Sequence, residues 1–154
     1  MKTKLFAFFL LTPLFIGCKS NQSYTGEKIV IERNEECVLV DSEPLEMRNM
    51  TVGQKKDAIF FIGDELCSSC KELKTKLESW MKTNKGKIYY VPLVKINKDN
   101  ERYVNECTEG YYSWGNEQTV PAVFFFKKGT AIYRGDSSNT IKYLNRYVTV
   151  ESAE

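Results

Sequence analysis

The run Ala58-Ile59-Phe60-Phe61-Ile62 is apolar at every position and stops at Gly63-Asp64. A strand with one wet face alternates apolar and polar residues, so an unbroken run calls for apolar cover on both faces of a sheet. The next segment supplies one of those covers. Leu73, Leu77, Trp80 and Met81 fall at i, i+4, i+7 and i+8, a single stripe on a helix, with Lys71, Lys74, Lys76 and Glu78 outside it. Asn84 to Gly86 ends that helix.

The remaining elements extend the same strand-and-helix order. Lys28 to Glu32 and Cys37 to Val40 read as a pair of short strands with a polar turn between them. Asp41-Ser42-Glu43-Pro44 carries a capping residue and a proline suited to a helix start, with Leu45, Met47 and Met50 as its apolar face. Lys87 to Val94 reads as a strand limited by Pro92, and Asn97 to Glu106 as a helix. Thr108 to Thr119, with Tyr111, Tyr112 and Trp114, has no periodicity and reads as loop packing. Ala122 to Phe126 and Ala131 to Arg134 form a hairpin through Lys127-Lys128-Gly129. Ile141, Leu144, Tyr147 and Val148 then face one way on a last helix. This order predicts an α/β layer sandwich in one domain, which suits a chain of 154 residues.

Composition removes whole classes of chemistry. The chain has no histidine, so imidazole triads, Cys-His proteases, imidazole zinc sites and Cys-X-X-Cys-His haem attachment are excluded. Met1 to Lys4 is basic and Leu5 to Ile16 almost wholly apolar, the n-region and h-region of a secretory signal. Those twelve residues are too short to span a bilayer, which takes about 20. Leu14-Phe15-Ile16-Gly17-Cys18 followed by polar Lys19 to Ser23 resembles a bacterial lipoprotein signal, which implies cleavage after Gly17 and a lipid on Cys18. The expected organisation is therefore a lipoprotein-type signal peptide over 1–17, lipidated Cys18 with a polar tether over 18–26, and a folded domain over 27–150. Lys2 and Lys4 leave with the signal, and the remaining balance of 20 basic against 20 acidic residues has no basic footprint for nucleic acid.

Export changes the reading of the cysteines. With Cys18 lipidated, Cys37, Cys67, Cys70 and Cys107 remain in a setting where disulfides persist. Cys67-Ser68-Ser69-Cys70 lies between the buried strand and the amphipathic helix. At the first helical turn, the Cys67 sulfur would lie near unpaired backbone N–H groups and the positive end of the helix dipole, which favour thiolate. Cys70 comes round the same turn, within reach of a mixed disulfide on Cys67. Cys67 is thus the expected nucleophile and Cys70 the resolving thiol. Cys37 and Cys107 either form a structural disulfide or are separate buried thiols. They make no second Cys-X-X-Cys knuckle, and no metal site is expected.

Phe60-Phe61-Ile62-Gly63, Cys67-Ser68-Ser69-Cys70-Lys71, the run Thr119-Val120-Pro121-Ala122 through Lys128-Gly129, and Tyr133-Arg134-Gly135 together resemble the thioredoxin superfamily from Lys55 to Val148. The resemblance implies a three-layer sandwich with a central mixed sheet flanked by helices. It also implies a cis Pro121 beside the dithiol, with the Val120 backbone pairing with substrate peptide. Gly129 would mark the hairpin turn and Gly135 a close approach before the last helix. A looser likeness extends to exported or lipid-anchored thioredoxin-like proteins, including those that accompany bacteriocin production. Leu66 stands where thioredoxins have tryptophan, Ser68-Ser69 replaces Gly-Pro, and Phe61 takes the place of a buried aspartate.

The expected activity is extracytoplasmic thiol-disulfide exchange on exported polypeptides. It would use the Cys67-Cys70 pair with no other cofactor, draw on a membrane or extracytoplasmic redox partner, and be anchored to the envelope by lipid. The competing expectation is a non-catalytic binding or assembly lipoprotein of the same fold, its cysteines purely structural.

Overall fold

A computed structural model describes residues 26–108 and 120–152. The signal and tether residues 1–25 with Cys18, and Tyr111, Tyr112, Trp114 and Thr119, lie outside the described residues. The elements run β1 (Ile29–Ile31), β2 (Val40–Asp41), α1 (Pro44–Arg48), β3 (Ala58–Gly63), α2 (Ser68–Asn84), β4 (Tyr89–Pro92), α3 (Glu101–Cys107), β5 (Ala122–Lys127), β6 (Thr130–Gly135), α4 (Thr140–Tyr147) and β7 (Val148–Val150). A π-helical turn, Asn49–Gly53, extends α1, and a 3-10 turn, Leu93–Lys95, follows β4.

The central sheet has the strand order β2-β4-β3-β5-β6. Its first three strands are parallel, β5 runs antiparallel to β3, and β6 runs antiparallel to β5, so the sheet is mixed. All six residues of β3 are buried, as the unbroken apolar run requires. Successive side chains point to opposite faces. Ile59 and Phe61, with Val123 and Phe125, pack under Leu73, Leu77, Met81 and Leu144 of α2 and α4. Phe60 and Ile62, with Phe124 and Phe126, pack on the other face with Met47, Met50 and Val104 from the α1 and α3 side. Two cores divided by one sheet make the three-layer sandwich. Each fully buried Phe contributes on the order of 2 to 3 kcal/mol by leaving water.

The hairpin and the glycines take their expected places. Gly129 has φ +77, and a Cβ there would fall 2.2 Å from the Thr51 carbonyl oxygen, so both backbone conformation and space select glycine at the turn. A Cβ on Gly135 would come within 2.4 Å of Thr140 Oγ1, the close approach that brings α4 against the sheet. Asp57, just before β3, holds the hairpin to the N-terminal strand. Its carboxylate accepts from Val30 N–H at 2.9 Å, Lys127 Nζ at 2.8 Å and Lys128 N–H at 2.7 Å.

Three local expectations are corrected. β1 and β2 are not paired with each other: β1 pairs in parallel with β7, and β2 with β4. The polar turn between them leads from a small two-stranded sheet to the edge of the main one. The last helix stops at Tyr147, and Val148 opens β7 instead of continuing the helical stripe. α3 begins at Glu101 rather than Asn97, because Asn97 and Asn100 form a side-chain-capped turn in which Asn97 N–H donates to Asn100 Oδ1 at 2.8 Å.

Candidate active site

β3 ends at Gly63, and the loop Asp64-Glu65-Leu66 turns the chain into α2. Asp64 shapes the turn: its Oδ1 accepts the Leu66 N–H at 2.9 Å, and its carbonyl accepts the Cys67 N–H at 3.2 Å. Cys67 is then the N-cap of α2, extended at φ −82 and ψ 117, one residue ahead of the expected first-turn position. An N-cap side chain faces the helix's unpaired N–H groups directly. The Cys67 Sγ accepts the Cys70 N–H at 3.2 Å, and the Ser69 Oγ lies 3.1 Å from it. Burial works against the Cys67 thiolate, but hydrogen bonds from the Cys70 thiol, the Ser69 hydroxyl and the N–H groups of Cys70 and Ser69 outweigh it, and its pKa falls below the ordinary thiol value.

Cys70 is the opposite case within the same turn. It is 3% exposed and sits in the α2-side core with Phe61. Burial pushes its pKa up to about 11; the Asp64 N–H opposes the rise, while Cys67 and the Asp64 carboxylate add to it. The Cys67-Cys70 pair therefore has one accessible sulfur that favours thiolate and one buried sulfur held as thiol. That polarity makes Cys67 the more nucleophilic sulfur of the two.

The Val120–Pro121 peptide approaches from the start of β5 and is cis. The Val120 carbonyl oxygen lies 3.9 Å from Cys67 Sγ, so the segment expected beside the dithiol is there. Two exposed apolar side chains are also notable: Leu66 is 91% exposed immediately before Cys67, and Val94 is 88% exposed on the turn after β4. Gly63 of β3 is in register with Pro92 of β4, so the Leu66 loop and the Val94 turn leave the sheet at the same end, that of the C-termini of its parallel strands.

Solved structures of low sequence identity have a similar fold. Spinach chloroplast thioredoxin f is 14% identical, over 71% of this chain and 83% of its own, at a TM-score of 0.50. Thioredoxin f2 from Chlamydomonas reinhardtii is 12% identical, over 71% of this chain and 94% of its own, at 0.51. No protein-family model and no curated protein matches the sequence. This chain has the thioredoxin fold.

On the thioredoxin fold, Cys37 and Cys107 are far from equivalent to the dithiol. Cys37 packs in the α2-side core and Cys107 in the α1-side core, with the sheet between them, and both are free thiols. Of the two expectations for these cysteines, this placement favours separate buried thiols over a structural disulfide. Cys37 Sγ accepts from Lys85 Nζ at 3.1 Å, and Cys107 Sγ from the Thr51 hydroxyl at 3.2 Å. Burial raises the Cys107 pKa. Among the described residues no group of three or more His, Cys, Asp or Glu is placed to hold a metal ion.

Sequence reasoning also missed Ser69 and Tyr90. Ser69 was visible as part of the dipeptide between the cysteines, but its hydroxyl points at Cys67 only because Cys67 is the N-cap. Tyr90 is paired in register with Phe61, and its ring lies 5.1 Å from the Phe61 ring. The packing that replaces a buried acid at position 61 is therefore aromatic.

Proposed function

We propose that this chain is an extracytoplasmic, lipid-anchored thiol-disulfide oxidoreductase that exchanges its Cys67-Cys70 dithiol or disulfide with exported polypeptides. The observation that carries the reading is the asymmetry of the pair: an accessible Cys67 sulfur receiving the Cys70 N–H at 3.2 Å, beside a Cys70 sulfur buried to 3% exposure. In the reducing direction the Cys67 thiolate attacks one sulfur of a substrate disulfide. The substrate S–S bond breaks, a Cys67–substrate disulfide forms, and the other substrate sulfur leaves as thiolate. Cys70 then gives up its proton and attacks Cys67 Sγ, the mixed disulfide breaks, and the substrate's second thiolate leaves. The substrate has gained two electrons and the protein holds a Cys67-Cys70 disulfide. The oxidising direction runs the same steps in reverse.

No metal or organic cofactor enters these steps. A membrane or extracytoplasmic redox partner would return the pair to its starting state. Export is supported by the basic start, the apolar run and the Gly17-Cys18 boundary, and contact with the membrane by the lipid that this boundary implies. The exposed Leu66 suits an unfolded or extended polypeptide substrate. The test is capture: Cys70→Ser should accumulate a mixed disulfide with exported polypeptides through Cys67, seen as a thiol-sensitive adduct by mass spectrometry. A Cys70→Ser protein that never forms one, or a function that survives loss of both cysteines, contradicts the proposal.

A further inference from the structure

Cys37 and Lys85 stand outside the exchange site, and their side chains meet. Both have a left-handed backbone, with φ 55 at Cys37 in the turn before β2 and φ 59 at Lys85, the C-cap of α2. The two turns are held against each other: the Asn34 N–H donates to the Lys85 carbonyl at 2.7 Å, and Arg33 bridges to Gly86. Asn34, itself buried, closes the Cys37 turn by accepting the Glu36 N–H at 3.1 Å and donating from Nδ2 to the Val38 carbonyl at 2.8 Å. Out of this frame Lys85 Nζ reaches Cys37 Sγ at 3.1 Å. Lys56, Lys87, Lys95 and Lys127 end on carboxylates, but among the described residues no carboxylate forms an ion pair with Lys85. Its ammonium ends on sulfur.

We infer that Cys37 and Lys85 form an oxidative modification site, at which a peroxide converts the contact into a covalent S–N cross-link. In the first step the Cys37 thiolate attacks hydrogen peroxide. An S–O bond forms, the O–O bond breaks, the hydroxide released takes up the thiol's proton as water, and sulfur gives up two electrons to become a sulfenic acid. In the second step Lys85, having passed a proton to water, attacks the sulfur as an amine. The S–N bond forms, the S–O bond breaks, and the hydroxyl leaves as water with one amine proton. The protein has then lost two hydrogens, and the peroxide has become two waters.

Proximity, not thiol acidity, carries the site. A sulfenic acid condenses with the nucleophile that reaches it or is oxidised further to sulfinic acid. Cys107 lies across the sheet from Cys37. Cys67 caps the other end of α2, whose 17 residues at about 1.5 Å each put its two ends about 25 Å apart. Lys85 is the nucleophile held at contact distance, which gives its condensation a large effective concentration. Cys37 is buried and Lys85 half-buried, so the oxidant must be small, as hydrogen peroxide is. None of this depends on the oxidoreductase reading.

The experiment treats the reduced full chain with graded hydrogen peroxide and maps its peptides by mass spectrometry. The parent chain should yield a Cys37 peptide joined to a Lys85 peptide, two hydrogens lighter than the two together, and dithiothreitol should release them. Lys85→Arg keeps a cation beside the sulfur but removes the amine. In that variant the joined pair should be lost and Cys37 recovered as sulfinic acid instead. Cys37→Ser should lose the pair as well. The inference is overturned by a parent chain in which Cys37 stays a thiol, or passes to sulfinic acid without cross-linking, at every peroxide dose that leaves the chain folded. A Cys37 cross-link that persists in Lys85→Arg, or equal sulfinic acid in that variant and the parent, overturns it too.

Discussion

Cys67 and Cys107 are the same side chain in two settings. Cys107 ends α3, is 5% exposed, and has one hydroxyl donor, from Thr51; burial is the largest influence on it and raises its pKa. Cys67 caps α2, is accessible, and collects donors from Ser69 and Cys70, so that burial is outweighed and its pKa falls. What separates them is where the helix begins relative to the sulfur. A thiol at the start of a helix meets backbone N–H groups without partners, whereas one at the end of α3 does not. The conditions that favour a reactive thiolate are therefore met in one turn of the chain and not by its cysteines in general.

The sharpest way to break that comparison is to remove each sulfur. Cys67→Ser should abolish exchange with a model disulfide altogether. Cys107→Ala should leave exchange intact and cost about 1 kcal/mol of stability, for a small cavity and one lost hydrogen bond. Equal losses of exchange in the two variants would erase the distinction. A smaller effect sharpens it: alkylation of the reduced chain by iodoacetamide, read cysteine by cysteine by mass spectrometry. Only the thiolate reacts, so the rate rises with pH through each thiol's pKa. Cys67, lowered, should show its midpoint below the free-thiol value of about 8.5 and react at least about tenfold faster than Cys107 at neutral pH. Cys107, raised and buried, should still react slowly above that pH. The reverse order would show that donors at the α2 start do not control reactivity.

Much of this contrast was legible in the sequence, and the reasons are local. β3 announces itself by an apolar run, α2 by a stripe that repeats at helical spacing, and the hairpin by Lys127-Lys128-Gly129, because each is decided within its own segment. The Cys-X-X-Cys spacing at a strand-to-helix junction located the pair for the same reason. Pairings across the fold were not legible. β1 finds β7, whose first residue, Val148, the helical stripe had absorbed, and no feature of Ile29 to Ile31 names that partner. Cys37 and Cys107 could be counted as an even pair, but the face of the sheet each occupies depends on how α3 and the segment before β2 pack. Tyr90 looked like one tyrosine in an aromatic strand. Its hydroxyl reaches the Gly63 carbonyl, at 3.3 Å, only through the register that puts it beside Phe61.

The most direct test of the central claim is the reduction potential of the Cys67-Cys70 couple in the folded chain, by mass-spectrometric thiol counting across glutathione and dithiothreitol buffers. An exchanging pair should equilibrate between about −120 and −270 mV, the upper end marking an oxidant and the lower a reductant. A couple below about −300 mV, too stable for exchange with a glutathione pool, or two cysteines that never pair, would contradict the account and return the pair to a structural role.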